Sequence, residues 1–284
     1  ILTFYCKSLT GFGFYNECCQ SAGHSITAAT REVERMNQAQ IKRIQRLQKN
    51  LPHHGLDAMV ILDRANTRYL TSFQGTYSIL VVDRKRATFI TDPRYGETAE
   101  KALGDFLSVV VQPPGVNRHF FRDLFKSRKF ENVGFEGSIT VNEYDRLKGM
   151  RIGRRLQKAT DVITSLRAVK DQEELKSIRK AVRLADRMMR YAIGLLEPGI
   201  REDEISRKIR FASEEFGGEG ESFPNIVASG RNSSRPHHHP GRRKLRPGDP
   251  VTIDLGGIVD GYCSDLTRTV VLGDPNPRFQ EIYD

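Results

Sequence analysis

The sequence contains few cysteines, and they form no pattern that would bind zinc or define a disulfide framework. Four occur in the 284 residues: Cys6, Cys18, Cys19 and Cys263. Three of them lie in the first nineteen residues and none has the spacing of zinc ligands. This scarcity favours a reducing compartment, and we expect a cytoplasmic protein.

Long apolar runs are also missing. No stretch approaches the ~20 apolar residues that a membrane helix needs, so we expect no membrane association. The first methionine is Met36, and Lys7, Ser8 and Asn16 interrupt the apolar character that a secretory signal would show. We therefore expect residues 1–35 to be a disordered leader or a translation artefact.

The charge is unbalanced but dispersed. The formal net charge is +10, yet Lys and Arg are spread along the whole chain. This favours a solvated basic surface over a nucleic-acid interface. The length, with 38% hydrophobic and 28% charged residues, fits a soluble globular protein of two domains.

The first domain is expected over residues 36–165. Apolar positions at helical spacing precede a series of short apolar segments, in which predicted strands alternate with predicted helices. The predicted strands are 57–62, 78–83, 87–92, 108–112 and 132–137. Such alternation predicts an α/β layer structure.

The second domain is expected over residues 166–284. Its longest predicted helix carries an apolar stripe that we expect in the core, formed by Leu175, Ile178, Val182, Ala185, Met189, Ala192 and Leu196. A second amphipathic helix follows over 202–216, and then a strand hairpin. Two helices before a hairpin predict an α+β domain whose helices cover one face of an antiparallel sheet.

That hairpin, VTIDLGGIVDGYCSDLTRTVVLG (251–273), places two acids within apolar strands, where acids are depleted. Asp260-Gly261 is a common signal for the centre of a tight turn. With this pair at the centre, Val259 faces Tyr262 across the hairpin.

The same register brings the two acids, Asp254 and Asp265, onto one surface as diagonal neighbours, with Asp265 facing Gly256. Two carboxylates this close repel each other, so a cation between them is a physically sensible partner. Gly256 and Gly257 would leave room for that ion and a substrate.

Two features leave alternatives open. The acid pair could instead be neutralised by Arg268 or Lys244 without any metal. Upstream, histidines 237–239 stand in a loop with six basic residues and no acid between Arg231 and Arg246. Such a run can bind metal, contact a carboxylate or remain solvated, and consecutive residues cannot all point to one site.

From about Leu166 onward the chain resembles the pita-bread metallopeptidases, the group that contains aminopeptidase P, prolidase, methionine aminopeptidase and creatinase. The segments that carry the resemblance are LRAVKDQEELKSIRKA, LLEPGIREDEI, ESFPNIVASGRNSSRPHHHP and LRPGDPVTIDLGGIVDGYCSDLTRTVVLG. Residues 36–165 are similar, less specifically, to the creatinase-type N-terminal domain, which methionine aminopeptidases lack. The resemblance thus implies the Xaa-Pro peptidase branch, with an α/β creatinase-type domain before the N-terminal portion of an α+β pita-bread domain.

Carried over position by position, the resemblance implies that Asp254 and Asp265 bind two divalent metal ions, with Asp265 bridging them. It implies that His237 is the active-site histidine and that Phe223 and Ile226 lie near the substrate pocket. The implied reaction is hydrolysis of a peptide with proline at its second position. An oxygen-rich ligand set suits Mn²⁺, with Co²⁺, Zn²⁺ or Fe²⁺ as alternatives, and family members commonly form homodimers.

The chain departs from the family pattern after Asp265. The family's other ligands, one histidine and two glutamates, lie downstream, whereas this chain offers only Asp274, Glu281 and Asp284 and no histidine. We therefore expect a C-terminally truncated chain without measurable peptidase activity.

Two alternative functions are weaker. A creatinase-like C–N hydrolase is disfavoured because both metal-binding acids are retained. A non-catalytic binding module with a basic surface would lose affinity steeply with added salt.

Overall fold

The computed structural model describes residues 36–114, 118–275 and 277–283, so the expected leader at 1–35 lies outside the described residues. The chain divides between Asp171 and Gln172 into two compact units. We call their described parts the N-terminal unit (36–171) and the C-terminal unit (172–283). The sequence-based boundary lies between 165 and 166.

Helices and strands alternate in the N-terminal unit. Its helices are α1 (Gln38–Asn50), α2 (Arg64–Thr71), α3 (Gly96–Leu103), α4 (Arg118–Phe125), α5 (Val141–Met150) and α6 (Thr160–Ala168). Its strands are β1 (Ala58–Ile61), β2 (Ile79–Asp83), β3 (Ala87–Thr91), β4 (Ser108–Val111), β5 (Phe130–Phe135) and β6 (Gly153–Lys158). They form a mixed sheet in the order β4-β3-β2-β1-β5-β6.

The central strands β1, β2 and β3 of this sheet are buried on both faces. Along β1, Met59 and Ile61 join one apolar cluster, while Ala58 and Val60 join another. Successive side chains of a strand point to opposite faces, so helices must cover the sheet on each side. The predicted α/β layer structure is confirmed.

A buried carboxylate ties two parts of this unit together. Glu136, which follows β5, is 1% exposed. Its carboxylate accepts hydrogen bonds from the backbone N–H groups of Leu62 (2.7 Å) and Asp63 (2.9 Å) and from the Asn66 amide (2.7 Å). Burial raises the pKa of Glu136, and these hydrogen bonds only partly oppose it.

The C-terminal unit begins with two long helices, α7 (Gln172–Gly194) and α8 (Glu202–Glu215). Its remaining elements are β7 (Ile226–Ser229), β8 (Pro250–Leu255), β9 (Ile258–Val259), β10 (Tyr262–Cys263), β11 (Leu266–Val271) and α9 (Pro277–Tyr283). The order β11-β8-β7 defines an antiparallel sheet, and β9 pairs with β10 at the tip of the hairpin.

One face of this sheet packs against the helices. Val251, Ile253 and Leu255 of β8 are buried together with Ile205 and Ile209 of α8. The alternate residues of β8 are only half-buried. This is the α+β arrangement that the sequence predicts.

The stripe predicted along α7 is wrong in part. Val182 is 48% exposed, and Leu175 and Ile178 are half-buried. The buried apolar residues are Ala181, Leu184, Ala185, Met188, Met189 and Ala192.

Leu184 takes the place expected of Val182 because two glycines leave space for it. A Cβ atom added to Gly218 or to Gly257 would lie 2.6 Å from Leu184 Cδ2. α7 therefore presents Leu184, and not Val182, to the hairpin.

None of the helices in residues 36–114, 118–275 and 277–283 combines the length and apolar character needed to span a bilayer.

Candidate active site

The hairpin of the C-terminal unit has the register that the sequence predicts. Tyr262 pairs with Val259 in the β9–β10 tip, and Thr267 pairs with Asp254 between β8 and β11. The turn residues Asp260 and Gly261 have φ values of 52° and 79°. Positive φ at both central positions is the requirement of a type I′ turn, whose twist matches that of the flanking strands.

The turn is also held against α7. The Asp260 carboxylate accepts hydrogen bonds from Ser177 Oγ (3.1 Å) and Lys180 Nζ (2.9 Å). Because this contact fixes the tip of the hairpin, it also fixes the position of the two strands that carry the acids.

Gly256 and Gly257 serve packing. A Cβ atom on Gly256 would lie 1.9 Å from the carbonyl oxygen of Ser264, and one on Gly257 would meet Leu184. The expectation that these glycines leave room for an ion and a substrate is therefore wrong. They allow the two strands and α7 to approach each other closely.

The acids lie on the face of the sheet opposite the helices. Asp254 of β8 pairs with Ile226 of β7 on one side and with Thr267 of β11 on the other, so these three residues form one row across the sheet. Asp265 stands two residues before Thr267 and therefore shares its face. The structure thus brings Asp254, Asp265 and Ile226 together on one face of the sheet.

Asp254 and Asp265 differ in exposure: Asp254 is half-buried, whereas Asp265 is exposed. Asp254 Oδ1 accepts a hydrogen bond of 2.8 Å from the Thr267 hydroxyl. Burial raises the pKa of Asp254, the Thr267 hydrogen bond opposes this, and the charge of Asp265 adds to the rise.

Neither acid is neutralised by a basic residue within the described parts of the chain. Arg268 donates from Nη1 to the backbone carbonyl of Thr267. The Asp254 carboxylate has only the Thr267 hydroxyl as a side-chain partner among these residues. Neutralisation by Arg268 or Lys244, the alternative to a cation, is not observed.

The two acids form a pair and not a larger cluster. Across residues 36–114, 118–275 and 277–283, no group of three or more His, Cys, Asp or Glu side chains is arranged to hold a metal ion. The described residues therefore offer two carboxylate ligands at this place.

The histidines of the basic loop differ in burial. The backbone N–H of His238 donates to Arg235 O (3.2 Å), so His237 is the third residue of a tight turn after Pro236, and its side chain is exposed. His238 is half-buried, with its ring Nε2 2.9 Å from Glu202 Oε2. His239 is exposed.

Glu202, at the start of α8, was not identified as a functional residue from the sequence. Its side chain is fully buried and accepts hydrogen bonds from β7 and from the histidine loop. One signal could have found it: residue 202 continues the apolar stripe of Ile205, Ile209 and Ala212, all buried on one face of α8. A glutamate on such a stripe needs partners for its carboxylate.

Phe223 lies three residues before β7 and is half-buried, as is Ile226. Ile226 thus places an apolar side chain beside Asp254 on the same face of the sheet. The contact brings an apolar surface next to the acid pair.

Two family profiles match the chain, one in each part. Residues 43–169 match the Creatinase/Prolidase N-terminal domain, and residues 176–284 match Metallopeptidase family M24. These matches confirm the two kinds of domain that the resemblance implies.

Several relatives share this arrangement. The chain is 33% identical to the uncharacterized peptidase YqhT of Bacillus subtilis, covering 85% of this chain and 68% of the relative. It is 30% identical to the Xaa-Pro dipeptidase of Pyrococcus furiosus, covering 86% of this chain and 68% of that protein.

Solved structures agree with these relatives. An Xaa-Pro dipeptidase from Bacillus anthracis superposes with a TM-score of 0.76 at 30% identity, covering 86% of this chain and 68% of that one. An X-Pro aminopeptidase from Thermotoga maritima superposes with a TM-score of 0.76 at 26% identity, covering 84% of this chain and 68% of that one.

Fold, site and relatives together define a metallopeptidase with a creatinase-type N-terminal domain. The chain belongs to metallopeptidase family M24, and the family implies divalent metal ions.

Proposed function

We propose that this site serves the hydrolysis of Xaa-Pro peptide bonds, with Asp254 and Asp265 as ligands to a pair of divalent metal ions. The observation that carries the proposal is the acid pair itself. Two carboxylates share one face of the sheet beside Ile226, and among the described residues no basic side chain neutralises them.

The residues present fit such ions in kind. Carboxylate oxygens suit hard divalent cations, and the ligand type favours Mn²⁺, with Co²⁺, Zn²⁺ or Fe²⁺ as alternatives. Burial and the charge of Asp265 raise the pKa of Asp254, and a bound cation would oppose both effects. Two carboxylates do not saturate two ions, so further ligands are required for a complete centre.

Each residue of the site has a proposed task. Asp254 and Asp265 would hold the ions, and the Thr267 hydroxyl holds Asp254 in orientation through its 2.8 Å hydrogen bond. When bound, the ions supply Lewis acidity that lowers the pKa of a coordinated water and polarises the scissile carbonyl. His237 donates a hydrogen bond to the peptide, and Phe223 and Ile226 contact the proline side of the substrate.

The proposal extends to state and location. We propose that the protein binds a peptide with proline at its second position. We also propose that it forms a homodimer and works in the reducing cytoplasm. The substrate class is supported by the relative from Pyrococcus furiosus, which is an Xaa-Pro dipeptidase.

Paramagnetic broadening by Mn²⁺ tests the metal site directly. In the ¹⁵N-labelled chain of 284 residues, Mn²⁺ should broaden the amide resonances of Asp254, Asp265 and Ile226, and Mg²⁺ at equal concentration should not. Asp254→Asn and Asp265→Asn should each abolish the local broadening. Asp274→Asn, which changes an exposed acid outside the pair, should leave it intact.

Broadening centred on histidines 237–239, or none at any residue, would contradict the metal assignment.

The substrate class has its own test. With Zn²⁺, which is diamagnetic, in place of Mn²⁺, Ala-Pro should shift the resonances of Phe223, Ile226 and His237, and Ala-Ala at the same concentration should not. Equal shifts with both peptides would remove the proline preference. Because two carboxylates do not complete the centre, we expect no measurable hydrolysis of Ala-Pro by the 284-residue chain, and detectable turnover would overturn that expectation.

A further inference from the structure

The buried Glu202 carboxylate receives an unusual number of hydrogen bonds. Its Oε1 accepts from Ser229 N–H (2.8 Å), from the Ser229 hydroxyl (2.7 Å) and from the Asn232 amide (3.0 Å). Its Oε2 accepts from Gly241 N–H (3.2 Å) and lies 2.9 Å from His238 Nε2. One side chain therefore joins the start of α8, the end of β7 and the histidine loop.

The carboxylate is ionised near neutral pH. Burial alone would raise its pKa, but the hydrogen bonds from Asn232, His238 and Ser229 outweigh this, and the pKa lies below its usual range. An ionised carboxylate can only accept hydrogen bonds, so the His238 ring must present a protonated Nε2 to it. The contact thus selects one tautomer of His238.

These contacts stand on both sides of His237. Asn232 precedes it by five residues, and Asn232 O accepts from Arg235 N–H (3.0 Å), which begins the turn. His238 directly follows His237, and Gly241 lies four residues after His237. A short turn anchored before and after its tip has little freedom to move the tip residue.

The backbone of α8 reinforces the anchor. Glu202 N–H donates to Arg243 O (3.1 Å) and Asp203 N–H donates to Gly241 O (3.0 Å). The first N–H groups of a helix have no partner within the helix, and here the loop carbonyls satisfy them. The loop is therefore bound to the helix by its own backbone as well as by the glutamate.

We propose that Glu202 is a positioning residue for His237, acting through the His238 ring and the Asn232 amide. The inference rests on the proposed role of His237 at the substrate. Glu202 itself is buried and does not touch the substrate face; it holds the turn from which the exposed His237 side chain extends.

Glu202→Gln tests the anchor because it exchanges one acceptor for a donor. Whichever way the new amide is oriented, at least one of Ser229 N–H and Gly241 N–H loses its acceptor. In the ¹⁵N-labelled 284-residue chain, without metal or peptide, we expect amide exchange roughly tenfold to hundredfold faster at whichever of these two groups loses its acceptor. Relaxation measurements should show increased motion at residues 235–239. Glu204→Gln, in the same turn of α8, is the matched control and should change none of these.

A second set of variants avoids the risk that Glu202→Gln does not fold. His238→Ala removes the link and should mobilise the turn, and His238→Gln, whose side-chain amide can donate to Glu202, should restore its order. His239→Ala, at the exposed neighbour, should leave the turn as it is. Rescue by the glutamine separates positioning from a general loss of packing.

A folded Glu202→Gln or His238→Ala protein whose residues 235–239 move as in the unaltered chain overturns the proposal. These measurements use neither metal nor peptide. Failure of the Mn²⁺ experiment would therefore remove the proposed function without changing the result on the turn, and a rigid turn in the variants would remove the positioning role without touching the metal site.

Discussion

The two sheets of this protein differ in how many of their faces are buried. In the N-terminal unit, every residue of β1, β2 and β3 is buried. In the C-terminal unit, β8 alternates strictly between half-buried and buried residues. A strand covered on both sides can hold a carboxylate only with a partner, as Asp83 at the end of β2 has in Arg128 (2.8 Å), whereas an alternating strand has a half-exposed position at every second residue.

The position of the acids follows from this difference. Asp254 and Thr267 occupy the half-buried row, while Val251, Ile253 and Leu255 occupy the row against the helices. The C-terminal sheet can therefore keep a polar row for chemistry without weakening its core. In the N-terminal sheet, the central strands β1, β2 and β3 are buried throughout and leave no such half-buried row.

The largest expected effect is in the fully buried sheet. Phe89→Ala removes a fully buried ring that packs edge-on against Phe73 at 4.7 Å, and should lower the free energy of unfolding by about 3–5 kcal/mol. Thr269→Val, on the half-buried row of β11, loses one hydroxyl contact with Thr252 (3.0 Å) and should cost about 1 kcal/mol. Urea unfolding monitored by circular dichroism measures both. Equal losses would contradict the contrast between the sheets.

A smaller loss is expected from the glycine beside the acids. Gly256→Ala places a Cβ atom against the Ser264 carbonyl and should destabilise the protein by about 1–3 kcal/mol as the strands separate. Gly149→Ala, in the last turn of α5, where an added Cβ meets nothing within 4 Å among the described residues, should be stabilising by about 0.5–1 kcal/mol. Thermal unfolding compares the two. A neutral Gly256→Ala would mean that the hairpin has room at this point.

Two of the buried glutamates, Glu136 and Glu202, should give opposite pH dependences. The pKa of Glu202 is lowered in the folded state, so its contribution is present above the unfolded pKa of about 4.3 and is lost as the pH falls through the lowered value. The pKa of Glu136 is raised, so its contribution is present below about pH 4.3 and is lost as the pH rises through the raised value.

Urea unfolding of Glu202→Gln and Glu136→Gln over the acid-to-neutral range measures these contributions. The destabilisation caused by Glu202→Gln should grow with rising pH, and that caused by Glu136→Gln should shrink. Parallel curves for the two variants would contradict the assignment of at least one shift.

The smallest effect is expected on the outer side of α7. Val182→Ala should change the free energy of unfolding by less than about 0.5 kcal/mol because Val182 is 48% exposed. Leu184→Ala, two residues along the same helix and 6% exposed, should cost about 2–5 kcal/mol. Similar losses of unfolding free energy for the two variants would mean that Val182 belongs to the buried stripe, as the sequence predicts.

Local patterns predict the elements that depend on local residues. The hairpin turn at Asp260-Gly261 determines the pairing of the strands that carry the acids, and the alternating residues of β8 determine their face. Both features are contained within about twenty residues, and so the sequence predicts them.

Other elements carry weak local signals. β6 (Gly153–Lys158) has three charged residues and lies at the end of the sheet, where charged side chains are tolerated. α2 (Arg64–Thr71) is short, and its start depends on Asp63, whose side chain accepts from Asn66 N–H. Neither element shows the apolar periodicity on which the analysis of the sequence relied.

The role of Glu202 could not be predicted for another reason. Its partners Ser229 and Gly241 are distant in the sequence, and no spacing rule connects them to residue 202. The His238 contact likewise depends on how the loop folds back over α8. Such contacts are specified only by the tertiary structure.

The continuous register of the hairpin limits how this part of the chain can evolve. Between Asp254 and Asp265, substitutions at exposed positions such as Cys263 leave the strand pairing unchanged. Inserting or deleting a single residue there would send one carboxylate into the apolar interior, since each step along a strand reverses its direction. The segment can thus tolerate substitution at its exposed positions but no change in length.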